Sequence, residues 1–424
     1  MMARVAEPLT PPEYRERFAD FRLSTLLRDA PAVLINGPRA CGKTTTARQH
    51  AASVVRLDQP AQAAAFKADP DAALRGREEP ILLDEWQEVP GVLGAVKRAV
   101  DDDPRPGRFI LTGSVRTDQE NEMWPGTGRL IRLRMYGFTE RELRPEGPRN
   151  HEPGFLDRLT SNNLAGFQPP PQPPDLRDYI DRAVRGGFPA VALASRSDPA
   201  NWIDSYVEQL LTRDSHQVTK GRDEFKLARY FEVVAACSAG IPEHKTMYDA
   251  AGISRPTADV YDSLLADLFI AEQVPAWSDN RLTTLIRAPK RYVVDSSLMA
   301  AALDATTDTI LGDSDLLGRC IDTFVAAQLR GELATAGGRG RVLHARTKGG
   351  REEIDIVVER PGRKVLALEM KASAAPSRAD AKHLRWLRDQ LGDRFVAGAV
   401  MHTGPDAFQL DDRIHALPIW AFWA

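Results

Sequence analysis

The feature that most constrains this chain is a glycine-rich segment, GPRACGKTT at Gly37–Thr45, which follows a short apolar run at 32–36. Its Gly-x4-Gly-Lys-Thr spacing is typical of a loop between a strand and a helix whose backbone N–H groups surround phosphate. Further along, ILLDEWQ at Ile81–Gln87 predicts a buried strand that ends in two carboxylates, Asp84 and Glu85. Binding a polyphosphate with Mg²⁺ needs both the glycine-rich loop and the strand-end carboxylates. Together the two motifs predict a P-loop fold that binds a nucleoside triphosphate.

Each residue type of the loop has a physical task. Gly37 and Gly42 permit the tight turn and the close approach of the backbone to phosphate. Lys43 would reach the β- and γ-phosphates, and the Thr44 hydroxyl would bind Mg²⁺. The competing interpretation is a glycine-rich turn with a chance lysine. The residues expected to contact the nucleotide here are Gly37, Pro38, Arg39, Ala40, Cys41, Gly42, Lys43, Thr44 and Thr45.

Polar groups at the ends of two predicted strands complete the candidate site. Asp84 would hold the magnesium shell with Thr44, and Glu85 would polarise the attacking water. The alternative is a pair of carboxylates that merely faces solvent at a strand end. Thr112 and Ser114 end the next apolar run, FILTGS, where their hydroxyls would sense the γ-phosphate. Small polar residues also simply terminate strands, so this assignment has an alternative as well.

Arg129 lies in WPGTGRL, a glycine-flanked turn before another apolar run. One interpretation makes it an arginine finger that completes the site of a neighbouring subunit, which would require a homo-oligomer. The other makes it an ordinary surface arginine. Together with Lys43 and Glu85 it forms the set of candidate catalytic residues. Cys41, inside the loop, is interpreted as a small filler residue rather than a nucleophile.

The composition limits the class of protein. With 424 residues the chain predicts about two or three domains. A net charge of -3 gives no basic footprint over the whole chain, so any nucleic-acid surface would be local. Three cysteines are too few for a disulfide framework or a zinc site. The sequence shows no apolar signal core and no membrane-length apolar stretch, so we expect a cytoplasmic protein without a membrane partner.

The N-terminal region, 1–145, predicts an α/β domain, because apolar runs alternate with helix-like stretches. Helices are expected over 59–73 and 92–100. The predicted strands of its parallel sheet are AVLIN, SVVRLD, ILLDE, RFILTGS and RLIRLRM.

Composition changes after this domain. Residues 146–174 form a proline-rich connector, and we expect its stretches RPEGPRNHEPG and FQPPPQPPD to build no interior helix or sheet. Residues 175–300 have a helical pattern and include a helix–turn–helix-like stretch with Ser254 as N-cap. The run that follows it, 271–287, has the β character of a wing. We therefore predict a winged-helix-like region.

The last region, 301–424, predicts an α/β domain with a second acidic site. Alternation along EEIDIVVE and KVLALEMK, joined by a tight hairpin, lets Asp355 and Glu369 converge beside Lys371. This Asp…Glu-x-Lys set resembles the PD-(D/E)XK nuclease core, in which carboxylates bind Mg²⁺ and lysine orients water. Asp322 supplies an acidic residue on the entering helix. The alternatives are charges on an exposed hairpin, or a nuclease-like fold that has lost cleavage.

Basic residues of the middle region offer a phosphate-tracking surface if the helix–turn–helix docks on DNA; otherwise the motif is a packing module. Trp202, Tyr206 and the pair Arg213–Asp214 are interpreted as core and salt bridge, and His216 and His244 as structural or surface residues. The candidate phosphate contacts are Lys245, Arg255, Arg281, Arg287, Lys290 and Arg291.

Motifs along nearly the whole chain resemble a known family, the bacterial and archaeal AAA-type ATP-binding proteins with a C-terminal domain of unknown function. The motifs that carry the resemblance are GPRACGKTT, VRLDQP, ADPDAAL, ILLDEWQEVPGVLGAVK, RFILTGS, the GR of PGTGRL, YGFTERELR, GGFP, WIDSYVEQLLTRD, APKRYVVDSSLMA, EEIDIVVE and ALEMKAS.

The resemblance implies an AAA+-type P-loop ATPase domain, a winged-helix-like segment and a restriction-endonuclease-like C-terminal domain. Its nucleotide ligands fall on Gly37, Gly42, Lys43, Thr44, Asp84 and Glu85. The chain departs from the family at Ala40 and Cys41, which replace a glutamine and an aliphatic residue, and in its proline-rich connector.

The functional hypothesis is a Mg²⁺-dependent ATPase whose nucleotide state controls a C-terminal module that binds nucleic acid or a partner protein. Two alternatives stay open: a non-hydrolysing, ATP-gated DNA-binding regulator, and an ATP-coupled nuclease.

Overall fold

Five short parallel strands form the N-terminal sheet in the computed structural model of the chain. In the order β2-β3-β4-β1-β5, they are β1 (Ala32–Asn36), β2 (Ser53–Arg56), β3 (Ile81–Asp84), β4 (Phe109–Gly113) and β5 (Leu130–Arg134). All five predicted strands are confirmed. β1, β3 and β4 are buried along their whole length, because each lies inside the sheet and helices cover both faces.

The structure describes residues 14–114, 128–161, 164–194, 199–214, 223–277, 288–337, 340–347 and 350–424. Arg281, Arg287 and His216 lie outside these ranges, and the side chains of Arg213 and Asp214 are not described.

Two layers of helices pack on this sheet. The helices are α1 (Phe18–Asp29), α2 (Lys43–Arg48), α3 (Pro60–Ala68), α4 (Pro70–Leu74) and α5 (Gly91–Asp102). The single helix expected over 59–73 is in fact two, because Pro70 begins a new helix and Asp69 caps it by accepting from Ala72 N at 2.9 Å.

The connector contains a short buried helix between its two proline-rich stretches, which themselves form no helix or strand, as predicted. Helix α6 (Phe155–Thr160) buries Phe155 and stacks its ring on Phe422, with centroids 4.0 Å apart. The Glu332 carboxylate accepts from Phe155 N and Leu156 N at 2.8 and 2.9 Å. The prolines flank this helix without entering it.

Helices dominate the middle region, as predicted. They are α7 (Leu176–Arg185), α8 (Pro189–Ala192), α9 (Pro199–Gln209), α10 (Glu224–Ala236), α11 (His244–Ala251) and α12 (Arg255–Asp267). Ser254 caps α12, accepting from Thr257 N at 3.4 Å. An antiparallel pair follows, β6 (Ala271–Val274) and β7 (Lys290–Val293). Three helices and then a hairpin match the predicted order, and the winged-helix assignment itself stays a prediction.

A six-stranded mixed sheet forms the C-terminal part, in the order β12-β13-β11-β10-β9-β8. Helices α13 (Ser296–Ala302), α14 (Thr307–Gly312) and α15 (Ser314–Thr335) precede it. The sheet and its helix comprise β8 (Arg341–Arg346), β9 (Glu353–Arg360), β10 (Lys364–Met370), α16 (Lys382–Leu391), β11 (Phe395–His402), β12 (Phe408–Asp411) and β13 (Ile414–Pro418).

One hydrophobic core joins the connector, the middle helices and one face of the C-terminal sheet. It runs from Phe155 through Tyr230 and Phe324 to Trp423. The boundary predicted after residue 300 therefore falls within a shared core, and it stays a prediction. Among the described residues, no helix is long and apolar enough to cross a membrane.

Candidate functional site

The glycine-rich loop leaves the carboxyl end of β1 and leads into α2. At Gly37, with φ +152°, an added Cβ would lie 2.0 Å from the carbonyl oxygen of Met135. Gly42 has φ +100° and is the N-cap of α2. Both positions thus need glycine for reasons of backbone space and conformation.

Lys43 is buried against its own loop, with 5% of its surface exposed. Its Nζ donates to the carbonyl oxygens of Gly37 at 3.0 Å and Pro38 at 2.6 Å. The ammonium therefore lies directly over the loop backbone, inside the turn that the two glycines form.

One oxygen of Asp84 accepts two threonine hydroxyls. Thr44 Oγ1 donates to Asp84 Oδ1 at 2.7 Å, and Thr112 Oγ1 donates to the same oxygen at 2.5 Å. Asp84 is 2% exposed. The hydroxyls of Thr44 in the loop and Thr112 on β4 thus meet at one oxygen of Asp84 on β3. Thr112 contacts Asp84 directly.

Glu85 has a strained backbone and a side chain held by neutral donors. Its φ and ψ are 53° and 52°, a left-handed conformation that is rare for residues other than glycine, asparagine and aspartate. Oε2 accepts from Ser114 Oγ at 3.4 Å and from the amide of Gln87. Glu85 and Ser114, which the sequence places in one site, are therefore in contact.

Arg129 lies at the amino-terminal ends of the strands, whereas the loop leaves their carboxyl ends. It immediately precedes β5, which pairs in parallel with β1 so that Leu130 lies opposite Ala32 at the start of both strands. Its guanidinium forms an ion pair with Asp101 at the end of α5. A catalytic role would need the site of another chain, and the arginine finger stays a prediction.

Arg17, which sequence reasoning missed, joins the loop to the irregular segment that follows β5. Its guanidinium donates to the carbonyl oxygens of Cys41 at 2.9 Å, Tyr136 at 3.1 Å and Gly137 at 2.7 Å. It also forms a buried ion pair with Glu142, 3.1 Å between Nη2 and Oε2. No sequence pattern marks an arginine before a first helix as a loop contact.

The middle region also reaches the loop. The Tyr206 hydroxyl donates to the Arg39 carbonyl oxygen at 3.2 Å, and its ring stacks on Trp202 with centroids 5.3 Å apart. Tyr206, interpreted from sequence as core, is therefore both a packing residue and a loop contact.

A cavity of about 430 Å³ opens beside Gly42. Phe138 and Pro189 line it together with residues from the segment before α1 and from the turn after α8. Its mainly apolar wall adjoins the phosphate loop directly. The lining residues are Tyr14, Arg15, Arg17, Gly42, Thr45, Thr46, Phe138, Pro189, Ala190, Leu193 and Ala194.

The second acidic cluster contains a lysine that the sequence assigned elsewhere. Asp355 and Glu369 come together as expected, because Ile356 pairs with Leu368 in the β9–β10 register. Lys290 Nζ lies between Asp322 Oδ2 at 2.6 Å and Asp355 Oδ1 at 3.0 Å. Among the described residues, no group of three or more acidic, histidine or cysteine side chains is arranged to hold a metal ion.

Lys371, in contrast, stands at the margin of the cluster. Its side chain is 37% exposed, and its Nζ lies 4.0 Å from Asp380. Its charge still contributes to the low pKa of Asp355.

Burial and neighbouring charge set the pKa values of this cluster in opposite directions. Burial raises the pKa of Asp322 to about 6 despite the Lys290 ammonium. Burial also opposes ionisation of Asp355, but Lys290 and the Met370 N–H lower its pKa below the usual value. Burial and the adjacent Asp355 raise the pKa of Glu369 well above its ordinary range.

The basic surface predicted in the middle region is wrong for Lys290 and Arg291. Lys290 is 2% exposed, and the Arg291 guanidinium donates to both oxygens of Asp262 at 2.7 Å. Lys245 pairs with Asp249 one turn along α11. These cations are paired with carboxylates. Among the predicted contacts that the structure describes, Arg255 is the one that is exposed and pairs with no acidic side chain.

The strand order, the glycine loop and the Asp84 carboxylate define the N-terminal domain as a P-loop ATPase domain. Residues 29–144 match the sequence profile of an AAA domain. Residues 176–309 and 317–422 match two domains of unknown function, DUF8612 and DUF4143.

Similar proteins occur in mycobacteria. Uncharacterized proteins of Mycobacterium tuberculosis and Mycobacterium bovis are each 28% identical over 411 residues, which cover 95% of this chain and 83% of theirs. A solved structure, a Walker-type ATPase of Pyrococcus abyssi, is 13% identical with a TM-score of 0.41, covering 70% of this chain and 99% of that one.

Proposed function

We propose that the chain is a Mg²⁺-dependent ATPase whose nucleotide state controls its C-terminal region. The observation that carries the proposal is the contact between the Thr44 hydroxyl and the Asp84 carboxylate, 2.7 Å apart at the carboxyl edge of the sheet. A loop hydroxyl beside a strand-end carboxylate is the oxygen pair that holds Mg²⁺ in P-loop proteins.

The loop fits a triphosphate. A side chain at Gly37 would collide with the Met135 carbonyl, so the backbone there turns in a space that admits only glycine. Lys43 donates to two loop carbonyls, and phosphate oxygens are stronger acceptors because they are charged. When phosphate oxygens replace the loop carbonyls, every donor of Lys43 that was paired therefore keeps an acceptor.

The chain's own residues supply the steps of hydrolysis. Lys43 would neutralise the phosphates, and Thr44 and Asp84 would hold Mg²⁺, which offsets the negative charge of the phosphates. Thr112 fixes the orientation of Asp84 through its 2.5 Å hydrogen bond. Glu85 would accept the proton of the attacking water, and Ser114 holds the Glu85 carboxylate from the neighbouring strand.

The cavity beside Gly42 suits the nucleoside. Its volume of about 430 Å³ and its apolar wall, formed in part by Phe138 and Pro189, are those of a site for a flat base. Because Pro189 belongs to the middle region, a bound nucleotide would contact the ATPase domain and the next region together.

Direct contacts support control of the C-terminal region. Arg17 links the loop carbonyl of Cys41 to the Gly137 carbonyl, and Phe138 N donates to Gly187 O at 2.6 Å. Gly187 N in turn donates to Asp295, just after β7. This contiguous set of contacts would pass a change at the loop to the region that binds a partner protein or nucleic acid.

Two variants test the chemistry. Lys43→Ala is expected to abolish ATP binding. Glu85→Gln is expected to keep ATP binding and to lower kcat by about 10²–10⁴-fold, the range for losing a general base. Glu88→Gln, an exposed carboxylate three positions on, is the matched control and should hydrolyse ATP at the wild-type rate.

Steady-state phosphate release and equilibrium ATP binding measure both effects. Wild-type turnover by Glu85→Gln would show that Glu85 is not the base. ATP binding without turnover in the wild type, with and without DNA, would favour the non-hydrolysing regulator instead.

A further inference from the structure

The C-terminal acidic cluster already contains a cation that belongs to the chain itself. Lys290, on β7, inserts its side chain between α15 and β9 and is 2% exposed. Its ammonium contacts Asp322 Oδ2 at 2.6 Å, Asp355 Oδ1 at 3.0 Å and the Asp355 carbonyl oxygen at 3.4 Å. Three oxygens from two elements thus converge on one buried positive charge.

Each oxygen of the two carboxylates already has a partner within the protein. Asp322 Oδ1 accepts from the Tyr292 hydroxyl at 2.9 Å, and Asp355 Oδ2 accepts from Met370 N at 3.0 Å. The other two oxygens contact the Lys290 ammonium. A metal ion placed between the two carboxylates would have to displace that ammonium.

Glu369 adds a third carboxyl group to the cluster. It is 4% exposed, and its Oε1 has no hydrogen-bond partner among the described residues. A buried carboxyl oxygen without a partner is costly, and a cation bound beside it would give it one.

Charge balance explains why Lys290 stays ionised in this interior. Burial by itself would lower its pKa, but Asp322 and Asp355 raise the pKa well above the usual lysine value. Removing the ammonium would leave the buried Asp322 and the partly buried Asp355 facing each other without compensation, which is destabilising.

We propose that Lys290 is the resident cation of this cluster, its ammonium standing where a divalent metal ion would lie between Asp322 and Asp355. The C-terminal domain of the native protein then binds no divalent ion at these residues and performs no metal-dependent cleavage there. Lys290 instead joins β7 to α15 and β9. Removing its charge converts the cluster into a divalent-cation site.

The experiment measures Mn²⁺ binding by electron paramagnetic resonance on the full chain without nucleotide. An Asp84→Asn background removes the metal ligand of the phosphate loop. In this background, the protein with an unmodified cluster and the protein that also carries Asp355→Asn should bind the same amount of Mn²⁺. Lys290→Met should bind one additional Mn²⁺ per chain, since the three carboxyl groups become available as ligands, and adding Asp355→Asn should abolish this additional binding.

Tyr292→Phe is the matched control. It frees one oxygen of Asp322 but leaves the ammonium in place, so it should bind no additional Mn²⁺. Melting temperatures with and without Mn²⁺ provide a second readout, because Lys290→Met lowers stability in the absence of metal. Mn²⁺ should raise the melting temperature of Lys290→Met and leave that of the unmodified cluster unchanged.

Two results would overturn the proposal. One is Mn²⁺ binding to the unmodified cluster that Asp355→Asn removes, a comparison that needs no change at Lys290. The other is a Lys290→Met protein that neither binds more Mn²⁺ nor is stabilised by it. Both are independent of ATP hydrolysis, so failure here leaves the ATPase assignment standing.

Discussion

Replacing Arg17 by methionine is expected to destabilise the ATPase domain and to free the phosphate loop from its neighbour. Methionine keeps the length and the apolar stem of the side chain, so the change removes mainly the charge and its donors. Arg17 is 4% exposed and donates to three carbonyl oxygens, among them that of Cys41 in the loop.

The size of the expected stability loss depends on which groups keep a hydrogen-bond partner after the substitution. Removing one partner of a buried ion pair costs about 3–5 kcal/mol. Glu142 would keep hydrogen bonds from Phe18 N at 3.0 Å and from Thr139 N at 2.9 Å, which limits the cost of its unpaired charge. Three carbonyls lose a donor at the same time. We therefore expect a loss of about 3–4 kcal/mol, at the lower end of that range.

Hydrogen exchange measured by mass spectrometry isolates this domain from the rest of the chain. The opening free energy of the β1 amides should fall by that amount in Arg17→Met. Arg28→Met, an exposed arginine on the same helix, is the control and should change it by less than about 0.5 kcal/mol. A loss below about 1 kcal/mol in Arg17→Met would refute the assignment of Arg17 as the buried link between the loop and the segment after β5.

Two further variants test the contacts of the acidic residues. Thr112→Val, nearly equal in volume, removes the 2.5 Å hydrogen bond to Asp84. It should therefore destabilise β4 by about 1.5–3 kcal/mol and weaken Mg²⁺-ATP binding. Thr112→Ser keeps the hydroxyl and should preserve both the stability of β4 and the binding. Calorimetric affinities and β4 exchange give the values, and an unchanged affinity in Thr112→Val would contradict the role. Asp322 has a folded pKa of about 6 against a usual 3.8, so its contribution to stability is greatest below about pH 4 and declines as pH rises to about 6. We therefore compare the unfolding free energy of the wild type with that of Asp322→Asn across this pH interval. The difference, wild type minus variant, should fall by on the order of 3 kcal/mol; a rise would mean that folding lowers the pKa of Asp322.

The arrangement of the candidate nucleotide site was predictable because its parts lie where local sequence patterns put them. A strand, a glycine turn and a strand-end carboxylate each have a signature within about ten residues, and parallel strands bring their carboxyl ends to one edge. The N-terminal part of the family resemblance rests on the same segments, and the AAA match over residues 29–144 covers them. The tertiary structure added Arg17 and Tyr206, which reach the loop from elements with no phosphate-binding pattern of their own.

The connector and the C-terminal cluster show where such patterns fail. Proline density excludes long helices but not the six residues of α6, whose first N–H groups are accepted by Glu332, far along the chain. Lys290 is 32 residues from Asp322 and 65 from Asp355, so nothing near it in sequence marks it as the cation of an acidic site.

The sequence by itself determined the phosphate loop, the carboxylate pair opposite it and the strands that carry them, because these depend on backbone conformation and on alternation over a few residues. Only the tertiary structure decided what the charges do. Arg17, Lys290 and Arg291 look alike as isolated cations in the sequence, yet each is fixed by carboxylates or carbonyls from distant elements. Burial makes those pairings obligatory, because an ion removed from water must find its partner wherever the fold brings one.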